Sequence, residues 1–254
     1  MDPWYVFKKA NLLFTKAYAL YKPLYFFYKR FSDRKHIKYI RSVIKPGMCV
    51  LDIGANIGFY SLIFSKITGP KGMVYAFEPD KTNYLRLADN TKHKNNVTCI
   101  NKAVSNFTGV VNLYISNELN VDHHTYNDGE ERESIEVSCV STDDFMKDKT
   151  LPSFIKIDIQ GYDYFAVQGM TEIISKSTDL VIFGEFSPYG LKKSGASPQE
   201  YYNFLVNNGL AVTFLDKTKD LNQIFEKESD KFYYTDFIAT KMVNNTWETT
   251  NKQS

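Results

Sequence analysis

The chain has 254 residues, 43% apolar and 15% aromatic, which is enough for one substantial core and favours one large domain over two small ones. Its 31 Lys/Arg nearly cancel 29 Asp/Glu, removing any overall electrostatic reason to expect nucleic acid as a partner. The balance is uneven: residues 1–40 hold nine basic and two acidic residues, net +7, so the other 214 carry 22 basic against 27 acidic, net −5.

This basic arm, residues 1–40, is set apart from a body, residues 41–254. In the arm Phe14, Tyr18, Tyr21, Tyr25 and Tyr28 recur at spacings of four and three, one stripe of a helix, with Lys9 and Lys16 opposite. Pro23 is expected to break or kink it into two pieces, unless it starts the second. The stripe suits a packed layer or lid on the body. The alternative is an interfacial helix pair, with rings among headgroups and lysines drawn to anionic lipid. Lys16, Lys22 and Lys29 interrupt the one stretch that approaches the length of a membrane span, and the start lacks the pattern of a signal peptide.

Strands are predicted near Met48 to Ile53, Met73 to Phe77, Val97 to Asn101, Phe154 to Ile159, Leu180 to Glu185, Ala211 to Leu215 and Tyr233 to Thr240. Helices fall between them at Ile57 to Lys66, Thr82 to Lys92, Asp163 to Lys176 and Pro198 to Asn207. The alternation predicts an α/β fold, a Rossmann-like, mostly parallel seven-stranded sheet with helices on both faces. The helix at Pro198 is sharply punctuated: Ser197 can cap it, Glu200 completes a capping box and Gly209 follows its end. A hairpin, Val110 to Ser116 with Ile135 to Ser141, is inserted before the fourth strand around a long polar loop that holds His123 and His124. Cys49, Cys99 and Cys139 each lie in an apolar run. Their odd number and wide spacing fit neither zinc nor a disulfide framework and point to a reducing, cytoplasmic setting.

The stretch VLDIGANIGFYSLIF, residues 50–64, passes from apolar strand through an acid and two glycines into an amphipathic helix. In an open parallel sheet this first turn is where a nucleotide-like cofactor settles, with Gly54 allowing the turn and Gly58 a close approach at a helix start. A dinucleotide pattern beginning at Gly54 would need glycine where Asn56 and Phe59 stand. Glu78 ends the second strand, 78 − 52 = 26 residues beyond Asp52, where an acid can accept hydrogen bonds from both ribose hydroxyls.

Together, Asp52-Ile53-Gly54-Ala55-Asn56-Ile57-Gly58, AFEPD, NKAVS and IKIDIQGYD resemble the class I S-adenosylmethionine-dependent methyltransferases. Within them they resemble the FkbM branch, which reads D-x-G-A-N-x-G, over roughly Lys45 to Asp216. DHHTY, EVSCVSTDDF and GEFSPYGLKK are similar to FkbM-type proteins often associated with polysaccharide or lipopolysaccharide biosynthesis. The resemblance implies S-adenosylmethionine at Asp52, Gly54, Asn56, Gly58 and Glu78, with the adenine edge near Asn101, Lys102 and Ala103. Many members have Glu where this chain has Gln160. Asp158 leaves the fourth strand facing the same cleft, Glu185 ends the fifth as an acid after an apolar run, and His123 matches the Asp-His pair of this branch.

The expected function is O-methylation of a hydroxyl on a small-molecule or glycan acceptor, with a sugar, polysaccharide or glycolipid intermediate as the expected class. His123 or Asp158 is expected to serve as base and Glu185 to orient the acceptor. No metal cluster is evident in the sequence, and metal dependence, acceptor identity and oligomeric state stay open. Two rivals are an NAD-dependent oxidoreductase and a non-catalytic protein that has kept the cofactor fold.

Overall fold

A computed structural model describes residues 14, 16–115 and 133–241. The arm supplies α1, Tyr18–Ser32, and α2, Arg34–Val43. The body follows as β1 (Cys49–Ile53), α3 (Phe59–Thr68), β2 (Met73–Phe77), α4 (Lys81–Thr91), β3 (Val97–Ile100), β4 (Ala103–Ser105), β5 (Gly109–Ile115), β6 (Glu133–Ser141) and α5 (Thr142–Met146). It continues through β7 (Phe154–Ile157), α6 (Asp163–Gln168), α7 (Thr171–Lys176), β8 (Val181–Phe186), α8 (Pro188–Lys193), α9 (Pro198–Asn207), β9 (Leu210–Phe214), α10 (Leu221–Phe225) and β10 (Thr235–Lys241).

The main sheet runs in the order β3-β2-β1-β7-β8-β10-β9, with β10 antiparallel to both neighbours and the other pairings parallel. Every residue of β1 and of β7 is buried, because these strands carry helices on both faces. Strand order reverses between β1 and β7, and the crevice at their carboxyl ends is where such sheets bind ligands.

The seven predicted strands and the Ser197 cap are present. Ser197 Oγ accepts the Glu200 N–H at 3.1 Å while Glu200 Oε2 accepts the Ser197 N–H at 3.0 Å. Four expectations change. The fourth strand ends at Ile157 rather than Ile159, freeing Asp158 for the turn. The inserted hairpin is part of a separate three-stranded sheet, β4-β6-β5, whose β4 pairs in parallel with β6. The helix expected at Asp163 to Lys176 breaks at Gly169, where a Cβ would lie 2.1 Å from the Ser105 carbonyl oxygen. The carboxylate of Asp143 restarts it, accepting the N–H groups of Glu172 and Ile173 at 2.9 and 3.0 Å.

The fourth change is in the arm. Helix α1 runs through Pro23 without dividing there, and the chain divides at Asp33 instead. A proline in the second turn removes one hydrogen bond, and packing of the helix outweighs that loss. Tyr18, Tyr21 and Tyr25 stack in sequence along the inner face, with centroids 6.2 and 5.4 Å apart, and Phe14 meets Tyr18 and Tyr21 edge-on at 5.7 and 5.2 Å. Arg86 lies 4.0 Å over the Tyr18 ring, and Asn90 donates to Tyr18 Oη at 2.7 Å, tying the stripe to α4. Tyr28, the fifth ring, is 65% exposed and does not share this packing. From α2, Ile37 and Ile40, followed by Ile44, enter the same core as Val50, Phe64, Phe154 and Phe183.

Candidate active site

The turn after β1 is held in place by backbone geometry. Gly54 (φ +78°) and Ala55 both donate to the Phe77 carbonyl, at 3.1 and 2.9 Å. A Cβ at Gly54 would lie 2.0 Å from the Asp158 carbonyl oxygen, so the turns after β1 and β7 touch through a residue that must lack a side chain. Gly58 caps α3 at φ +87°, and what approaches it is Leu87 of α4, 2.8 Å from a notional Cβ, rather than open space for a ligand.

Asn56 shows why this turn does without a middle glycine. Its φ of +49° is left-handed, a region asparagine tolerates, and its Oδ1 accepts the Ile57 N–H at 2.7 Å. Asn56→Gly should therefore leave stability within about 0.5 kcal/mol, whereas Asn56→Ala should cost ~1 kcal/mol through left-handed strain and the lost hydrogen bond. Urea unfolding midpoints check this, and an alanine variant as stable as the glycine variant would remove the conformational argument.

Asp52 is completely buried at the floor of this turn. Its Oδ2 accepts from Ser61 Oγ at 2.6 Å, while Oδ1 has no hydrogen-bond partner among the described residues. Burial pushes its pKa up, against the opposing charge of Lys156. Glu78 spans the next turn: Oε2 accepts the Asn56 N–H at 2.8 Å and Oε1 the Asp80 N–H at 3.0 Å. Burial raises its pKa to about 8 despite these bonds. The cap of α4 is Asp80, which accepts the Asn83 N–H at 2.7 Å, so Glu78 is not needed for that task. Asn101 donates its amide to the Glu78 and Pro79 carbonyls, both at 2.9 Å, bracing the turn by its side chain. Ala103 is buried in β4, opposite Cys139.

Beside this turn, at the ends of β7, β8 and β10, a pocket is lined by Lys29, Asp33 and His36 from the arm with Tyr60, Lys156, Asp158, Glu185, Tyr234 and Asp236 from the body. Lys156 sits opposite Asp52 in the β1–β7 register, is 4% exposed, and reaches Asp158 Oδ2 at 3.0 Å. Burial acts to raise the Asp158 pKa, but Lys156 and then Lys29 outweigh it and hold the carboxylate low. Glu185 faces Asp236 in the β8–β10 register. Its pKa is pushed well up by burial and then by the charges of Asp158, Asp163 and Asp236. His36 Nε2 lies 2.9 Å from Asp236 Oδ2, and its ring meets Phe183 edge-on at 5.3 Å. That hydrogen bond raises the His36 pKa above 6.5 against the opposing effect of burial. Asp33 accepts from Tyr60 Oη at 2.7 Å.

The structure thus brings Asp52, Gly54, Asn56, Gly58, Glu78 and Asn101 around one turn and places Asp158 and Glu185 in the adjoining pocket. His123 lies outside the described residues. Sequence reasoning missed His36, Lys156 and Asp236. Only Lys156 carried a signal, a lone charge between isoleucines in a strand expected to be buried on both faces.

A model of the FkbM methyltransferase domain matches residues 52–216. Among solved structures the chain is similar to the methyltransferase FkbM from Methylobacillus flagellatus KT, at 17% identity and TM-score 0.49, covering 80% of this chain. It spans 50% of that protein's length. It is also similar to a candidate rRNA methylase from Clostridium thermocellum, at 11% identity, TM-score 0.52, and 82% and 96% of the two chains. A candidate methyltransferase from Streptococcus mutans, solved in complex with SAH, gives 11% identity, TM-score 0.50, and 82% and 97% coverage. A comparison with curated proteins finds no match.

Proposed function

The chain belongs to the FkbM methyltransferase family, and from that premise we propose that it uses S-adenosylmethionine to methylate a hydroxyl group on a sugar-bearing acceptor. The observation that carries this reading is the close approach of the Gly54 turn to Asp158, a residue that also lines the pocket holding the His36–Asp236 pair and Glu185. When bound, the cofactor supplies an activated methyl group.

The residues of the turn after β1 fit that cofactor. Glu78 keeps lone pairs beyond those used by Asn56 and Asp80, suited to two ribose hydroxyls. The orphaned Oδ1 of Asp52 is an acceptor beneath the turn, and the first turn of α3 offers N–H groups to a carboxylate. Asn101 and Ala103 would border the adenine.

In the pocket, His36 takes the proton of the acceptor hydroxyl, its imidazole fixed by Asp236. Glu185, kept protonated to unusually high pH, donates a hydrogen bond that orients the acceptor. Asp158, paired with Lys156, is a weaker base than His36 and serves as the fixed anion between the turn and the pocket. His123 stands as the alternative base from the inserted loop.

The test is transfer of a labelled methyl group to carbohydrate and lipid-linked glycan extracts, with NAD reduction measured alongside. Incorporation into an alkali-stable ether would support the reading, while NAD turnover without methyl transfer would overturn it. Glu78→Gln should weaken S-adenosylhomocysteine binding by ~1–3 kcal/mol, measured by titration calorimetry on protein whose melting shows it folded. Unchanged affinity would remove the ribose role.

A further inference from the structure

Phe14, Tyr18, Tyr21 and Tyr25 pack toward the body, so they are not the headgroup-facing rings expected of an interfacial helix, yet α1 has a second apolar stripe. Leu20, Leu24, Phe27 and Phe31 recur at intervals of four, three and four, and are 62%, 62%, 77% and 67% exposed. The stripe is ~17 Å long at the helical rise. A run of four large apolar side chains facing water along one helix is not an ordinary surface, and nothing among the described residues covers it.

Its borders are basic. Between residues 16 and 45 there are nine Lys/Arg and one acid, Asp33. Asp33 is buried and already engaged by Lys29, Ser32 and Tyr60. Lys16, Arg30, Arg34, Lys35 and Lys38 are exposed, and the Arg34 guanidinium lies 5.4 Å over the Phe31 ring. The net charge of this region contrasts with the mildly acidic remainder of the chain.

We propose that the outer face of α1 is a docking surface for an anionic lipid membrane, with Leu20, Leu24, Phe27 and Phe31 entering the headgroup boundary and the flanking Lys and Arg meeting acidic headgroups. Exposed Leu and Phe rimmed by cations, with no free acid on the face, complement a negative lipid surface better than they complement a folded protein, which would offer paired polar groups. Among the described residues no helix is long and apolar enough to cross a membrane, so the contact is peripheral.

The location gives the contact a purpose. The same helix carries Lys29 into the acceptor pocket, which Tyr234, 60% exposed, also lines. Lys29 stands on the opposite side of α1 from Leu20, Leu24, Phe27 and Phe31, so a lipid surface on the outer face would hold the same helix whose inner side lines the pocket. Presentation of the acceptor from that surface rests on the functional reading above, but lipid binding does not.

The test is cosedimentation of the full chain with vesicles of phosphatidylcholine alone or with about one-third phosphatidylserine, before and after Leu24→Ser/Phe27→Ser/Phe31→Ser. All three positions are exposed, so circular dichroism melting should be unchanged. Expected is binding only to the anionic vesicles, weakened by added salt and about ten-fold or more by the triple change. A Phe27→Trp variant should also be quenched by brominated lipid, which reports insertion directly. No binding by the full chain, equal binding by the triple variant, or no quenching would overturn the surface. A dimer in sedimentation velocity that the triple variant dissolves, without vesicle binding, would assign the face to a second copy instead. Methyl transfer to a water-soluble acceptor, assayed in parallel, distinguishes failure of the membrane surface from failure of the enzymatic reading.

Discussion

His36→Gln is expected to lower turnover by ~10²- to 10⁴-fold, the usual contribution of a positioned general base, while S-adenosylhomocysteine affinity stays near that of the parent protein. The split follows from position, since His36 lines the pocket at β7, β8 and β10, away from the Glu78 turn. The pH profile carries the sharper information. His36 faces Asp236, which raises its pKa most, with Asp33 raising and Lys29 lowering it more weakly, and Glu185 across the pocket. A base must be deprotonated to act, so kcat/KM should rise with pH through a value above 6.5. Asp236→Asn removes the carboxylate responsible, and the rising limb should move to lower pH while the maximal rate falls less than in His36→Gln. A purely structural His36 would lose activity without moving that limb. Full turnover in both variants would pass the role to His123 or Asp158.

What the sequence disclosed depended on how local the physics was. The Ser197 cap needs only residues three apart, and the strands could be found because burial on both faces leaves a continuous apolar run. The cofactor turn was legible for the same reason: Gly54, Asn56 and Gly58 answer to backbone angles that a short motif can display. The pocket was legible only in part. Asp158 and Glu185 stand at strand ends, where sequence position predicts a site, but His36 and Asp236 come from opposite ends of the chain and meet only through packing of α2 against β8 and β10. Both lie outside the stretch that matches the family model. The outer stripe of α1 was hidden for another reason. The helix is apolar over so much of its circumference that periodicity could show one stripe but not which one faced the body.

Lys156→Met is expected to destabilise the fold by about 3 kcal/mol at neutral pH, lowering the melting temperature by ~6–12 °C for a chain of this size. Methionine nearly conserves volume, so packing changes little and the loss is mainly one of charge. Lys156 is the cation beside two carboxylates: Asp52, opposite it across β1 and fully buried, and Asp158, two residues on, whose side chain is 37% exposed. Removing one member of a buried pair costs ~3–5 kcal/mol, and the partial exposure of Asp158 places the expectation at the lower end through solvent screening. Both carboxylates give the same sign with pH. Asp158 has a depressed folded pKa, so its contribution is present above the unfolded value of 3.8 and is lost as pH falls through the lower folded one. Asp52 has a raised pKa, so its charged form is a penalty that Lys156 reduces and that protonation relieves. The gap in stability between parent and Lys156→Met should therefore be widest at neutral pH and close as the solution is made acidic. Thermal melts at a series of pH values measure it, and a gap that persists unchanged to pH 3 would show that Lys156 acts through shape rather than charge. Because Lys156 also lies 4.9 Å over the Tyr60 ring, and Tyr60 donates to Asp33, its loss should loosen the arm's hold on the pocket and raise KM more than the change in stability alone would predict.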